Sequence, residues 1–367
     1  MLGSIYKKLL CFAFVLLCAF CSAFAQTAVK QAKAAQNPIY DADFPDPTMI
    51  RATDGNFYAY ATQTELNGKT INIQVARSSD LINWEHLGDA LPTKPIWANQ
   101  TQDFWAPHVA EADGKYFMYY SADPNPKNGL CLAVAVADKP EGPFRDVGKP
   151  LKCGESFVNI DPMAFDDPVT GKRLLYWGSG FQPIKVQELA ANRIEFAPNS
   201  QPVDLIAPHK TEDLSDYQRM IEGAWVIYRK PYYYLFYSGY NCCGERAHYA
   251  MMVARSRNAT GGFETLAQVT GKTNSVILEK NDEWLAPGHN SLIRDDAGQD
   301  WIFYHAISVK QRNQAKAKNS ASDAPRALLI SKLIYQNGWA LVEGGTPQTQ
   351  LRELPKFKNP PRRARQK

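Results

Sequence analysis

The chain has 367 residues, 45% of them hydrophobic and 21% charged, with a formal net charge of +4. The surplus is terminal: Lys7, Lys8 and six cations within 356–367 leave residues 26–355 at −4, which argues against a nucleic-acid partner. The length would suit two domains, yet no Pro/Gly/Ser-rich linker divides the chain.

The first element, "MLGSIYKKLLCFAFVLLCAFCSAFAQ", sets two lysines before an apolar run and ends on Ala23-Phe24-Ala25, a small-x-small cleavage pattern. It predicts a secretory signal peptide over 1–25, followed by a linker at 26–36. No later stretch is apolar for long enough to cross a bilayer. The mature chain is therefore expected in the periplasm or outside the cell, and as a monomer. In that oxidising compartment the four cysteines beyond the leader should form disulfides. Of three connectivities we favour Cys131 with Cys153 and a vicinal Cys242–Cys243 bridge.

From residue 37 onward one pattern recurs. "GNFYAYAT" (55–62), "GKYFMYYS" (114–121), "GKRLLYWG" (171–178), "KPYYYLFYS" (230–238) and "GQDWIFYHA" (298–306) each place a turn before alternating aromatic and small or β-branched residues, a strand signature. Their starts lie 59, 57, 59 and 68 residues apart. A shorter strand precedes each run ("DPTMIRA", "APHVAEA", "DPMAFDD", "EGAWVIYR", "HNSLIRDD"). Two more follow, the last near Trp84, Phe144, Phe196, Phe263 or Trp339. Five units of four strands at a near-fixed period predict an all-β, five-bladed β-propeller over 37–355, with four antiparallel strands per blade. A two-sheet sandwich would not repeat one pattern five times. The basic end, 356–367, is expected to be a solvated, disordered tail.

In a propeller the first strand of each blade runs along the central channel. Asp46, the Trp105-Ala106-Pro107 turn, Asp161, Glu222 and His289 stand at the starts of those strands, 9, 7, 10, 8 and 9 residues ahead of their aromatic runs. Three carboxylates from three blades should thus meet at one mouth of the channel. There like charges raise one another's pKa and mark a functional site. A non-catalytic sugar-binding propeller, holding hydroxyls alone, has no need of all three.

"NPIYDADFPDPTMIRATDGNFYAYAT", "FWAPHVAEADGKYFMYYS", "NIDPMAFDDPVTGKRLLYWGS", "IEGAWVIYRKPYYYLFYSG", "GHNSLIRDDAGQDWIFYHA" and "RALLISKLIYQNGWALVEG" together resemble glycoside hydrolase family 43. The resemblance implies a five-bladed enzyme that hydrolyses arabinose- or xylose-containing plant polysaccharide with inversion. It implies Asp46 as general base, Asp161 as pKa modulator and Glu222 as general acid, with Arg326 near the base and the sugar hydroxyls. No cofactor is implied as a requirement. His289 in "GHN" is where arabinan-acting members often bind a central calcium ion through water; that one structural calcium stands against a plain hydrogen-bonding imidazole. His305 reads as core. Two departures stand out: His108 follows "WAP" where the family often has an acid, and "EGA" replaces the commoner "EGP".

An inverting hydrolase needs one carboxylate to activate water and one carboxylic acid to protonate the leaving oxygen, roughly 6.5–9.5 Å apart. Asp46 must then be ionised and Glu222 protonated. Trp105 would form a platform under the sugar ring or else pack between blades, and Phe44 and Phe181 are further candidates for the platform. "GHNSLIRDDAGQDWIFYHA" and "NGWALVEGGTP" look most like members acting on α-L-arabinans, as endo-1,5-α-L-arabinosidase or α-L-arabinofuranosidase. A β-xylosidase or a galactan-cleaving relative shares the catalytic features. A retaining fructan-acting propeller would want an "NDPNG"-type motif, which "FPDPTM" does not match.

Overall fold

The computed structural model describes residues 35–317 and 324–358. The leader expected at 1–25 and the last residues of the basic tail lie outside the described residues. Among the described residues no helix is long and apolar enough to cross a membrane.

Five antiparallel sheets follow one another in chain order. Their first strands are Thr48–Arg51, Phe104–Ala112, Met163–Asp166, Ile221–Arg229 and Trp284–Arg294. Each packs against the first strands of the two neighbouring blades, so the five close a ring about one axis. The chain is a five-bladed β-propeller. Blades 2 and 4 add a short extra strand to the outer part, Lys152–Cys153 and Val276–Leu278. In blade 3 the outermost strand is Val203–Ile206 rather than a segment at Phe196, which instead bridges Leu189.

The aromatic runs are the second strands, and Phe57–Ala61 is buried throughout. Alternation places one set of side chains against the preceding blade and the other against the next, so both faces are apolar. Tyrosine is favoured there because its hydroxyl crosses to the next blade's outer turn. Tyr60 donates to the Pro140 carbonyl, Tyr119 to Arg193, Tyr176 to Ala259 and Tyr234 to Gly338, at 2.5, 2.9, 2.7 and 3.0 Å. Four of the five blade junctions are pinned in this way.

The mouth end of each first strand carries a residue in the left-handed region, Asp46, Ala106, Asp161, Gly223 and His289, with φ of 56°, 45°, 55°, 64° and 50°, and blade 5 adds Ala286 at 49°. Non-glycine residues hold that conformation only where the surroundings impose it. Here the N–H of each of the first five donates to a side chain of the blade before. Asp46 donates to His305 Nδ1 (3.1 Å), Ala106 to Thr62 Oγ1 (2.8 Å) and Asp161 to Ser121 Oγ (3.1 Å). Gly223 donates to Asp161 Oδ2 (2.9 Å) and His289 to Ser238 Oγ (2.8 Å). The ring of turns fixes what stands around the channel mouth.

Residues 35–44 seal the circle. Ile39 and Phe44 donate from their backbones to Leu328 and Arg326 of the last blade, and buried Asn37 exchanges hydrogen bonds with Ile330 through its amide. The chain is therefore already packed at 35–36, inside the expected linker. The tail expectation also needs correction at its start: the Lys356 and Lys358 N–H groups donate to Asp295 and Asp296, and Phe357 packs 4.5 Å from the Phe57 ring.

Candidate active site

Asp46, Asp161, Glu222, Trp105, His289 and Arg326 line one pocket of about 290 Å³ at the channel mouth. That volume lies at the small end of ligand pockets, about 300 Å³, and suits a single sugar unit.

Asp46 sits at the centre of a cationic and hydrogen-bonding cage. Thr62 donates to its Oδ2 at 2.6 Å; Arg326 Nη1, His289 Nδ1 and His305 Nδ1 lie 3.3, 3.4 and 3.3 Å from its Oδ1. Burial by itself would raise this carboxyl. Arg326, with His289 beside it, outweighs burial and holds it well below the usual carboxylate range. Asp43 serves the same cage from behind, accepting the Arg326 N–H at 3.0 Å and so anchoring the arginine.

Glu222 is the residue before a left-handed turn, not the turn residue itself. Its side chain therefore leaves the axis and reaches Tyr249, whose hydroxyl donates to Oε1 at 2.8 Å. Burial first, then the Asp46 charge, pushes its pKa up to about 8. Asp161 is also raised well above its ordinary value, by burial and then by the Glu222 and Asp46 charges. Asp161 further accepts the Gly223 N–H and so pins the peptide that carries Glu222. Glycine suits 223, whose φ is 64° and where a Cβ would come within 3.3 Å of the His289 ring.

His289 stands between two acids, with Nδ1 3.4 Å from Asp46 Oδ1 and 3.8 Å from Asp161 Oδ2, and burial lowers its pKa. The surroundings do not fit a calcium ion held by protein atoms. That ion takes six to eight oxygens, and among the described residues no cluster of three His, Cys, Asp or Glu side chains could hold a metal. His108, the departure after "WAP", is buried below the site with Nδ1 accepting the Ala164 N–H at 3.3 Å and the Trp225 ring 5.2 Å away. Burial drives its pKa down to about 3, so it is a neutral plug in the channel and not a sugar contact.

Two candidates fall elsewhere. Phe44 is 0% exposed, packed with Ile39 and Leu328 in the core where blade 5 meets blade 1, and reaches no sugar. Phe181 is outside the acid pocket, at its rim beside Phe157. Cys131 and Cys153 are joined in a disulfide. Cys242 and Cys243 are not bridged to each other; a vicinal bridge would close a strained ring on one peptide unit. Both line the pocket, with Cys242 Sγ 3.8 Å from Arg326 Nη1.

Four residues of the site had no signal in periodicity or spacing. Tyr249 and Thr62 hold the two catalytic candidates, and Phe157 lines the wall. His305, buried as expected, belongs to the Asp46 cage. Tyr249 fits because Gly288 lacks a Cβ that would come 2.3 Å from its ring, and Phe157 fits over Gly180 for the same reason.

The family model of glycosyl hydrolases family 43 matches residues 35–340. The chain belongs to that family. It is 25% identical over 295 residues to an extracellular exo-α-(1→5)-L-arabinofuranosidase of Cellvibrio japonicus, covering 75% of this chain and 82% of the relative. It is 28% identical over 278 residues to a probable arabinan endo-1,5-α-L-arabinosidase A of Aspergillus flavus, covering 72% and 82%. Among solved structures, a thermostable family-43 glycoside hydrolase superposes with a TM-score of 0.69 at 26% identity, over 88% of this chain and 99% of that one. As a member of family 43 the chain is a glycosidase that hydrolyses O-glycosyl bonds.

Proposed function

We propose that the chain is an exported, inverting hydrolase of α-L-arabinofuranosyl linkages in arabinan, with Asp46 as general base and Glu222 as general acid. One observation carries the assignment of roles: in one pocket Arg326 and Thr62 hold Asp46 at 3.3 and 2.6 Å and favour its ionised form, while burial and the Asp46 charge favour the protonated form of Glu222. Those are the two states that inversion demands. The water oxygen attacks the anomeric carbon while Asp46 takes its proton; the glycosidic C–O bond breaks and the departing oxygen takes the proton of Glu222. Burial and the Asp46 charge keep Glu222 protonated, and Asp161 holds it in place through the Gly223 N–H. Arg326 and His289 hold Asp46 charged and face the sugar, and Trp105 supplies an apolar wall. Arabinan as substrate rests on the named activities of the relatives, and export on the leader and on the extracellular relatives.

Substitutions at the two acids test the roles. Glu222→Gln should lose on the order of 10³-fold in kcat on arabinan, yet keep much of its activity on a dinitrophenyl arabinofuranoside, whose leaving group needs no proton. Asp46→Asn should fail on both. The first-formed product, read by NMR before mutarotation, should be inverted. Retained configuration, or equal losses on both substrates for Glu222→Gln, would overturn the assignment. A panel of linear arabinan, arabinoxylan and galactan decides between arabinan and the xylosidase or galactan readings, and turnover of any of them removes the purely sugar-binding one.

A further inference from the structure

Glu222 is gripped by a side chain from the third strand of its own blade, His248–Ser256. The Tyr249 ring is buried there against blade 5. It stacks on the His305 ring, with centroids 5.8 Å apart and planes within 4°. The Gly288 backbone comes so close that a Cβ would lie 2.3 Å from the ring. A ring packed this way has little freedom, so the junction of blades 4 and 5 sets where its hydroxyl stands. That hydroxyl donates to Glu222 Oε1 at 2.8 Å. Burial first, then the Glu222 charge, raises the Tyr249 phenol well above its ordinary value, so it keeps its proton. His305, on the other side of the stack, has Nδ1 3.3 Å from Asp46 Oδ1 and accepts the Asp46 N–H. One aromatic stack thus stands behind both acid and base.

The hydrogen bond distinguishes the two oxygens of Glu222. A carboxylic acid has one carbonyl-type oxygen, which accepts, and one hydroxyl oxygen, which donates. Oε1 accepts from the phenol, which leaves the proton on Oε2. As that proton moves to the departing oxygen, which keeps both electrons of the broken C–O bond, Glu222 becomes a carboxylate. The bond from Tyr249 then becomes charge-assisted and strengthens. A fixed donor therefore points at charge that develops during the reaction, with no reorganisation needed.

We infer, granted Glu222 as the general acid, that Tyr249 is a positioning residue for the reaction: its hydroxyl places the transferable proton on Glu222 Oε2 and steadies the carboxylate left behind. Around Glu222, the charges of Asp46 and Cys243 favour the protonated form, whereas Tyr249 and Arg326 favour the ionised one. The Glu222 charge in turn raises Asp161. Of the groups that favour ionisation, Tyr249 has the larger effect.

Tyr249→Phe tests this, because it keeps the ring and removes the hydroxyl alone. On arabinan kcat should fall about tenfold to hundredfold with KM unchanged. On a dinitrophenyl arabinofuranoside, whose leaving group needs no proton, the variant should keep most of its rate. Without the donor the ionised acid is less favoured, so the alkaline limb of the pH–rate profile on arabinan should move to higher pH. A limb that moves to lower pH would show the phenol accepting from Glu222 and would overturn the inference, as would an unmoved limb. Equal losses on both substrates would make Tyr249 a packing residue and refute its role toward the acid. If Glu222→Gln itself fails to separate the two substrates, the general-acid reading falls instead, and the inference with it.

Discussion

Asp46 is buried and Glu222 half-buried, so desolvation alone would raise both; what separates them is the company each keeps. Arg326 touches Asp46 directly with two imidazoles beside it, whereas Glu222 has one phenol donor, the opposing charge of Asp46 and only a weaker pull from Arg326. The pH dependence follows. Glu222 works protonated, so the rate on arabinan should be full below its raised pKa and fall as pH rises through about 8. Asp46 works ionised and is held low, so activity should persist well into acid. In Glu222→Gln, assayed on an activated aryl arabinofuranoside, the alkaline limb should vanish and the acid limb remain. A pH–rate profile of kcat/KM decides this, and an alkaline limb that survives the substitution would belong to Asp161 instead.

At the scale of the strand, the left-handed turns decide where each acid points. Asp46, Asp161 and His289 are themselves turn residues, while in blade 4 the turn is Gly223 and Glu222 precedes it. The one-residue difference sends the acid off the axis toward Tyr249 and the others onto it. The hydroxyls that hold these turns end the aromatic runs: Thr62, Ser121 and Ser238. Blade 3 has Gly178 at that place, and the Asp161 carboxylate takes the missing acceptor's role. Thr62 also donates to Asp46, so Thr62→Val should orphan both the Ala106 N–H and one carboxylate oxygen. We expect a loss of about tenfold to hundredfold in kcat, restored by Thr62→Ser; equal activity of the valine and serine variants would refute the hydroxyl's role. The aromatic runs and the three acids were legible because they repeat within each unit. Tyr249, Phe157 and the contacts of His305 were not, because each depends on which side chains the ring brings together across two blades. Phe44 misled for the same reason. It lies two residues before a catalytic candidate, yet its ring faces a junction that exists only once blade 5 has closed on blade 1.

That junction governs the molecule as a whole. Four of the five interfaces are pinned by a tyrosine hydroxyl passing forward to the next blade. The fifth joins the two ends of the chain, and residues 35–44 lie along the third strand of the last blade to hold it. Asn37 is the hub: its Nδ2 donates to the Ile330 and Gln348 carbonyls at 2.8 and 2.7 Å, and its Oδ1 accepts the Ile330 N–H at 3.0 Å. Asn37 is 4% exposed, so removing its amide leaves backbone groups without partners and without water. Asn37→Ala should cost about 3 kcal/mol and lower Tm by roughly 5 °C. The kcat at 25 °C should hold, because Thr62, Arg326, His289 and His305 still cage Asp46. Calorimetry beside a kinetic assay separates the two effects. An unchanged Tm would mean that the ring is closed by the core packing of Phe44, Leu328 and their neighbours alone, and a fall in kcat without a fall in Tm would make Asn37 part of the site.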